Sequence, residues 1–208
     1  MNWYGKSEIV GNIGLFGGTF DPLHIGHLIL AQEARYQLEL ERVLWILTPN
    51  PHHKPDKEIT PPGIRWEMLT REIDTVPEFS LSDVELLRKP PHYTHQTVKI
   101  LRDEFPDAEL IYLMGGDSLR DLPGWYKAQE LVQMLDGFGV MLRPGAQVNG
   151  PGLEEELPGL GNKLHMIETP LIQISSSDIR RRIANHQPFR YFLPLSVVRF
   201  IQEKRLYI

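Results

Sequence analysis

The sequence predicts an α/β fold, a parallel Rossmann-like sheet flanked by helices with a small helical C-terminal part. Three observations carry this. Apolar runs such as Val43-Leu44-Trp45-Ile46-Leu47 and Leu110-Ile111-Tyr112-Leu113-Met114 are continuous, as expected for strands buried on both faces. Stretches with apolar residues at helical spacing follow them. The two kinds of segment alternate, which is the pattern of right-handed βαβ crossovers. No internal repeat or composition break divides the 208 residues, so residues 1–208 are read as one domain.

Composition narrows the function. A formal net charge of −5 argues against nucleic-acid binding, which needs an extended basic surface. The absence of cysteine excludes disulfides and thiolate catalysis. Met1 to Asn12 has no apolar signal core and no later run is long enough to span a bilayer, so a cytoplasmic protein with no membrane contact is expected.

The first strand is Ile13-Gly14-Leu15-Phe16, and the helix after it repeats Leu28, Ala31, Ala34 and Leu38. Between them lies Gly17-Gly18-Thr19-Phe20-Asp21-Pro22-Leu23-His24-Ile25-Gly26-His27. A strand-to-helix turn at the first crossover is where such sheets bind ligands. The paired glycines let the backbone approach a ligand closely. The N–H groups of the helix start favour an anion, and His24 and His27 can offer donors to phosphate oxygens in the same mouth. The histidines could also be ordinary helix-start residues or zinc ligands, with His52, His53 and carboxylates completing the set. A dinucleotide-type loop would need G-x-G-x-x-G, which is absent.

Val43 to Thr48 empties into Pro49-Asn50-Pro51-His52-His53-Lys54-Pro55, a rigid loop on the ligand side of the sheet. Pro61-Pro62-Gly63 opens a helix with Ile64, Met68, Leu69 and Ile73 inward and Arg65 either at the surface or facing the substrate. Phe79 to Leu87 reads as a strand, and its acids Asp83 and Glu85 as structural, since neither has a partner that would set acid and base roles. After Pro90-Pro91, Thr94 is a good N-cap for a helix over Gln96–Phe105.

The strand ending at Met114 runs into Gly115-Gly116-Asp117-Ser118-Leu119, where Asp117 can cap a helix or meet a ribose hydroxyl or Mg²⁺. Trp125, beside Pro123-Gly124, needs a packing partner for its ring. Phe138 to Leu142 is a further strand, with Arg143 at its end either solvated or a phosphate ligand. Gly, Pro and Glu over 146–163, including Glu154-Glu155-Glu156, read as a solvated surface loop. Leu164–Glu168 is a short strand. Ser175-Ser176-Ser177 before Ile179 and Arg180 forms a donor-rich helix start. Arg181, Arg182, Arg190 and Arg199 read as a solvated face, and Pro194 to Tyr207 as a closing helix with Val197, Phe200 and Ile201 inward.

These motifs, in this order over nearly the whole chain, resemble the H-x-G-H nucleotidyltransferase superfamily, and Gly17 to His27 is close to the form in bacterial nicotinate-nucleotide adenylyltransferases. The resemblance implies transfer of AMP from ATP to nicotinate mononucleotide with Mg²⁺, giving the dinucleotide and pyrophosphate. It assigns His24, His27 and Arg180 to catalysis. It assigns Gly17, Gly18, Thr19, Phe20, Gly26, Gly115, Asp117, Ile174, Ser175 and Ser176 to ATP, along with those three. Tyr93, Thr94, Trp125, Tyr126, Arg143, His53 and Lys54 go to the mononucleotide, although Pro51–Lys54 is shorter than the family's common loop. Phosphopantetheine adenylyltransferases and cytidylyltransferases share the histidine site but are not expected to carry Tyr93-Thr94 with Trp125. A nucleotide sensor without turnover would have no need of His24, His27 and Arg180 together.

Overall fold

The structure is a computed structural model that describes residues 11–51, 59–142, 149–170 and 173–208. Among these, six strands form one sheet: β1 (Ile13–Gly18), β2 (Arg42–Leu47), β3 (Phe79–Ser82), β4 (Leu110–Gly115), β5 (Gly137–Met141) and β6 (Leu164–Ile167). Their order is β3-β2-β1-β4-β5-β6, and every neighbouring pair is parallel. The chain therefore winds outward in both directions from β1 and β4, which pair with each other from Ile13↔Leu110 to Leu15↔Tyr112. This is the doubly wound arrangement, and its crevice opens at the carboxyl ends of those two strands.

The continuous apolar runs are explained by burial on both faces. In β2, Val43, Trp45 and Leu47 enter one core while Leu44 and Ile46 enter the other. In β4, Ile111 and Leu113 join the first, and Leu110, Tyr112 and Met114 the second. The first face is covered by α1 (Ile25–Gln37), α2 (Pro62–Ile73), α7 (Ser176–Ala184) and α8 (Leu195–Lys204), through Ala31, Met68, Ile179 and Phe200 among others. The second is covered by α3 (Thr94–Glu104), α4 (Gly116–Asp121), α5 (Ala128–Met134) and α6 (Gly150–Glu156). The C-terminal helices thus close the same core as α1 and α2. Val197, Phe200 and Ile201 are buried there as the periodicity predicts, and Arg71 of α2 lies over the Phe200 ring at 4.6 Å.

Besides the closing helix, which ends at Lys204 rather than Tyr207, four local expectations need correction. The predicted strand 79–87 stops at Ser82, and Glu85 turns inward with the Thr97 hydroxyl donating to its Oε1 at 2.7 Å. Burial raises the Glu85 pKa, and the Thr97 bond opposes this. Helix α3 begins at Thr94 rather than being capped by it; Tyr93 is the N-cap residue. The segment expected as a loop over 146–163 contains α6 within its described part. Leu153, Leu157 and Leu160 are buried on the second core, and Glu154 accepts the Gly159 and Gly161 N–H groups at 2.8 and 2.7 Å. The fourth is Arg65, which is completely buried.

Candidate active site

The crevice holds a cavity of about 320 Å³ at the ends of β1, β4 and β5. The glycine-rich turn forms its floor, with Gly17, Gly18, Phe20, His24, Gly26 and His27 all lining it. Gly115 and Asp117 line it from the end of β4, and Ile174 from the segment before α7. Nine of the residues expected at ATP are thereby gathered around one space. The glycines serve packing as well as approach: a Cβ on Gly17 would stand 2.7 Å from the Tyr112 hydroxyl, and one on Gly18 would meet the Phe20 ring.

The turn sets the two histidines. Phe20 takes a left-handed conformation (φ 46°), and its ring is buried 5.1 Å from His27 and 5.3 Å from Trp45. His24 is the extended N-cap residue of α1 (φ −142°), and its backbone N–H donates to Nδ1 of His27 at 3.2 Å. The rings stack at 3.6 Å between centroids. Because Nδ1 of His27 accepts, the neutral ring carries its proton on Nε2 as a donor. The bond at the start of α1 is therefore also a tautomer lock.

Helix α7 docks its N-terminus on this turn. The Ser176 hydroxyl donates to the Pro22 carbonyl at 3.0 Å, and Arg180 Nη1 donates to the Asp21 carbonyl at 2.6 Å. Ser175 caps α7, accepting the Asp178 N–H at 3.1 Å, so its hydroxyl is engaged within the helix start. Thr19 within the turn, and Ser175, Ser176 and Arg180 of the α7 start, do not line the cavity. Two helix N-termini, of α1 and α7, nevertheless meet beside it, and each favours negative charge.

Tyr93, Thr94, Trp125 and Tyr126 form a second cluster outside the cavity lining. Tyr93 and Tyr126 stack at 4.3 Å, and the Trp125 ring stands edge-on to Tyr112 at 5.9 Å. Tyr112 links the two clusters: it lines the cavity, and its hydroxyl hydrogen-bonds with Thr94. Burial raises the Tyr112 pKa, so the phenol stays protonated. His95, which carried no expectation, is buried against Tyr126 and pairs with Glu130 at 3.0 Å. His53, Lys54 and Arg143 lie outside the described residues, as does His52 of the zinc alternative.

Arg65 lies neither at the surface nor toward a substrate but is buried beside the glycine-rich turn. Its guanidinium donates to four main-chain carbonyls: Thr19 at 2.8 Å, Thr48 at 3.0 Å, Pro49 at 2.6 Å and Thr60 at 2.6 Å. It ties the glycine-rich turn to the carboxyl end of β2. Burial lowers its pKa, while the charge of Asp21 opposes this. Tyr112 and Asp21 were also missed as organisers. The period-2 register of β4 marks Tyr112, whereas no local signal marks the burial of Arg65.

Among the described residues no group of three or more His, Asp or Glu side chains could hold a metal ion, and no helix is long and apolar enough to cross a membrane. The cytidylyltransferase-like family model matches residues 15–182. A relative from Thermomicrobium roseum, named "Probable nicotinate-nucleotide adenylyltransferase", is 41% identical over 95% of this chain and 92% of its own length. One of the same name from Bacillus licheniformis is 38% identical over 94% of this chain and 97% of its own. The nicotinic acid mononucleotide adenylyltransferase of Plasmodium falciparum, solved with NaAD, shares the fold with a TM-score of 0.78. It is 20% identical, with 95% of this chain and 97% of that chain covered.

Proposed function

Because the chain belongs to the cytidylyltransferase-like family, among the nicotinate-nucleotide adenylyltransferases, we propose that its cavity carries out adenylyl transfer from ATP to nicotinate mononucleotide, releasing pyrophosphate and nicotinate adenine dinucleotide. The observation that carries this reading is the meeting of the His24–His27 pair, the Gly115–Asp117 strand end and the α7 start around one crevice at the β1/β4 switch point. We read the whole chain as one domain serving that site.

The chemistry explains why no general base or covalent nucleophile is arranged there. The attacking group is the 5′-phosphate of the mononucleotide, mostly dianionic at neutrality because its second pKa is roughly 6. It needs an in-line approach to the α-phosphate and relief of like-charge repulsion. His27 Nε2–H and His24 are the donors nearest the crossover, and the α1 and α7 N-termini add fixed positive potential. Magnesium enters as part of the co-substrate Mg²⁺·ATP, neutralising triphosphate charge. Its preference for phosphate oxygens and water suits a cavity whose acidic lining is Asp117. Arg180, beside the turn, is assigned to the leaving pyrophosphate. Tyr93, Thr94, Trp125, Tyr126, His53, Lys54 and Arg143 are assigned to binding the mononucleotide.

Pyrophosphate release from Mg²⁺·ATP with a panel of acceptors tests the reading. Nicotinate mononucleotide should support turnover, and phosphopantetheine and cytidylyl acceptors should not; turnover with phosphopantetheine alone would contradict it. Within the pyridine pair, the start of α3 at Tyr93–Thr94 offers N–H donors to a carboxylate. The nearby Glu85 carboxylate is buried, and its Oε1 accepts the Thr97 hydroxyl. The amide of nicotinamide mononucleotide would face donors with its NH₂, a mismatch of roughly 1–3 kcal/mol, or about fivefold to 150-fold. The expected result is a kcat/KM for nicotinate mononucleotide higher by that factor, and equal values would refute the pocket.

Arg180→Lys keeps the charge and loses the planar fork, which spans the Asp21 carbonyl and a phosphate together. Loss of one charge-assisted bond, about 1.5–3 kcal/mol, lowers kcat/KM for ATP by about tenfold or more. A fully active lysine variant would remove Arg180 from the triphosphate.

A further inference from the structure

After α8 the chain turns through left-handed Arg205 (φ 50°) and Tyr207 (φ 65°), and Leu206 and Tyr207 pack on the first core. This brings the Tyr207 hydroxyl to Oδ1 of Asp21, to which it donates at 2.7 Å. Asp21 is 3% exposed and sits in the glycine-rich turn, three positions before His24. Its other oxygen, Oδ2, accepts the Thr60 N–H at 3.2 Å and lies 3.9 Å from Arg180 Nη1. That guanidinium nitrogen donates instead to the main-chain carbonyl of the same residue at 2.6 Å. The other cation facing Asp21 is Arg65, which is held by four carbonyls.

We propose that Tyr207 is a positioning residue for adenylyl transfer: its hydroxyl satisfies the buried Asp21 carboxylate and so keeps Arg180 from closing onto it, leaving the guanidinium for the triphosphate. A buried carboxylate that loses a donor is an under-compensated anion, and it recruits the nearest mobile cation. Arg65 is fixed, so that cation is Arg180. A movement of about 1 Å turns its long contact into a charge-assisted hydrogen bond of ordinary length. Once paired in that way, Arg180 is withdrawn from phosphate. Burial and the adjacent carboxylate both raise the Tyr207 pKa, so the phenol keeps its proton at working pH. The inference rests on Arg180 serving the triphosphate, which Arg180→Ala tests separately in the same assays.

Tyr207→Phe removes one oxygen atom and keeps the ring in the core. Two readouts are used: steady-state kinetics with Mg²⁺·ATP and nicotinate mononucleotide, and the Kd for ATP by titration calorimetry. The expected result is an approximately tenfold loss in kcat/KM for ATP and in ATP affinity, the size of one charge-assisted bond. The KM for the mononucleotide and the melting midpoint should stay close to wild type. In a double-mutant cycle, Asp21→Asn should abolish most of the effect, because a neutral amide does not draw Arg180 in. Unchanged ATP parameters would overturn the proposal, as would a loss that multiplies undiminished with Asp21→Asn. A variant that loses its melting transition, or weakens both substrates alike, would overturn it too, since the hydroxyl would then serve only the fold. A wild-type protein without turnover would count against the functional reading, while the calorimetric comparison would still decide this one.

Discussion

His27→Ala should lower kcat on the order of 10²-fold or more while changing the KM for ATP far less, and His24→Ala should do the same. Charge on the α-phosphate and its bridging oxygens redistributes only during transfer. A donor aimed at that region therefore acts mainly in the transition state, and its loss appears in kcat. The structure gives the reason for the size of the effect. His27 is fixed at Nδ1 by the His24 N–H, stacked on the His24 ring and backed by Phe20, so in the proposed role its Nε2–H would be presented without reorganisation. Alanine at either position removes the stack as well as a donor. His27→Gln, which can place an amide N–H near the position of Nε2, should recover part of the rate. Near-normal turnover with a raised KM in the alanine variants would show that the histidines only bind.

Arg65→Ala should destabilise the fold by on the order of 4 kcal/mol, read as a lower denaturation midpoint at constant m-value. The guanidinium is completely buried and satisfies four carbonyls from the glycine-rich turn, the end of β2 and Thr60. Truncation leaves those acceptors in a site too closed for free hydration, and opens a cavity beside Asp21. Activity should fall with stability, because the Thr19 carbonyl that Arg65 holds belongs to the turn carrying His24. Arg65→Lys should recover only part of the loss, since three donors on a flexible stem cannot reproduce the fork. A midpoint unchanged in the alanine variant would show that water or neighbouring residues replace the guanidinium at no cost.

The sheet was legible because its physics is local. Val43 to Leu47 and Leu110 to Met114 are apolar at consecutive positions, which only a strand covered on both sides requires. The crossover turn was legible because its chemistry is contiguous: Gly17 to His27 holds the glycines and both histidines within one stretch. Arg65 was not legible, because a charged residue on an amphipathic helix reads as solvated. Its burial depends on carbonyls from residues 19, 48, 49 and 60 converging in space. Tyr207 is hidden for the same reason, acting on a residue 186 positions away. At α6 the signal was present and outvoted. Leu153 of the helix and Leu157 and Leu160 just beyond it are apolar and buried, while the surrounding glycines, prolines and glutamates favour a loop. At β3 the alternation of Phe79 and Leu81 slips at Asp83, and the hydrogen-bonded ladder to β2 ends at Ser82, while Val84, Leu86 and Leu87 keep the segment apolar enough to read as strand.

The central claim is that the mononucleotide phosphate attacks the α-phosphate of ATP directly, with no enzyme nucleophile in between. The stereochemical course at phosphorus tests it most directly. With one diastereomer of ATP carrying sulfur on the α-phosphate, a single in-line displacement predicts inversion of configuration in the thiophosphate-linked dinucleotide. Retention would require two displacements through an adenylylated side chain, with His24 or His27 as the nearest candidate, and would contradict the account.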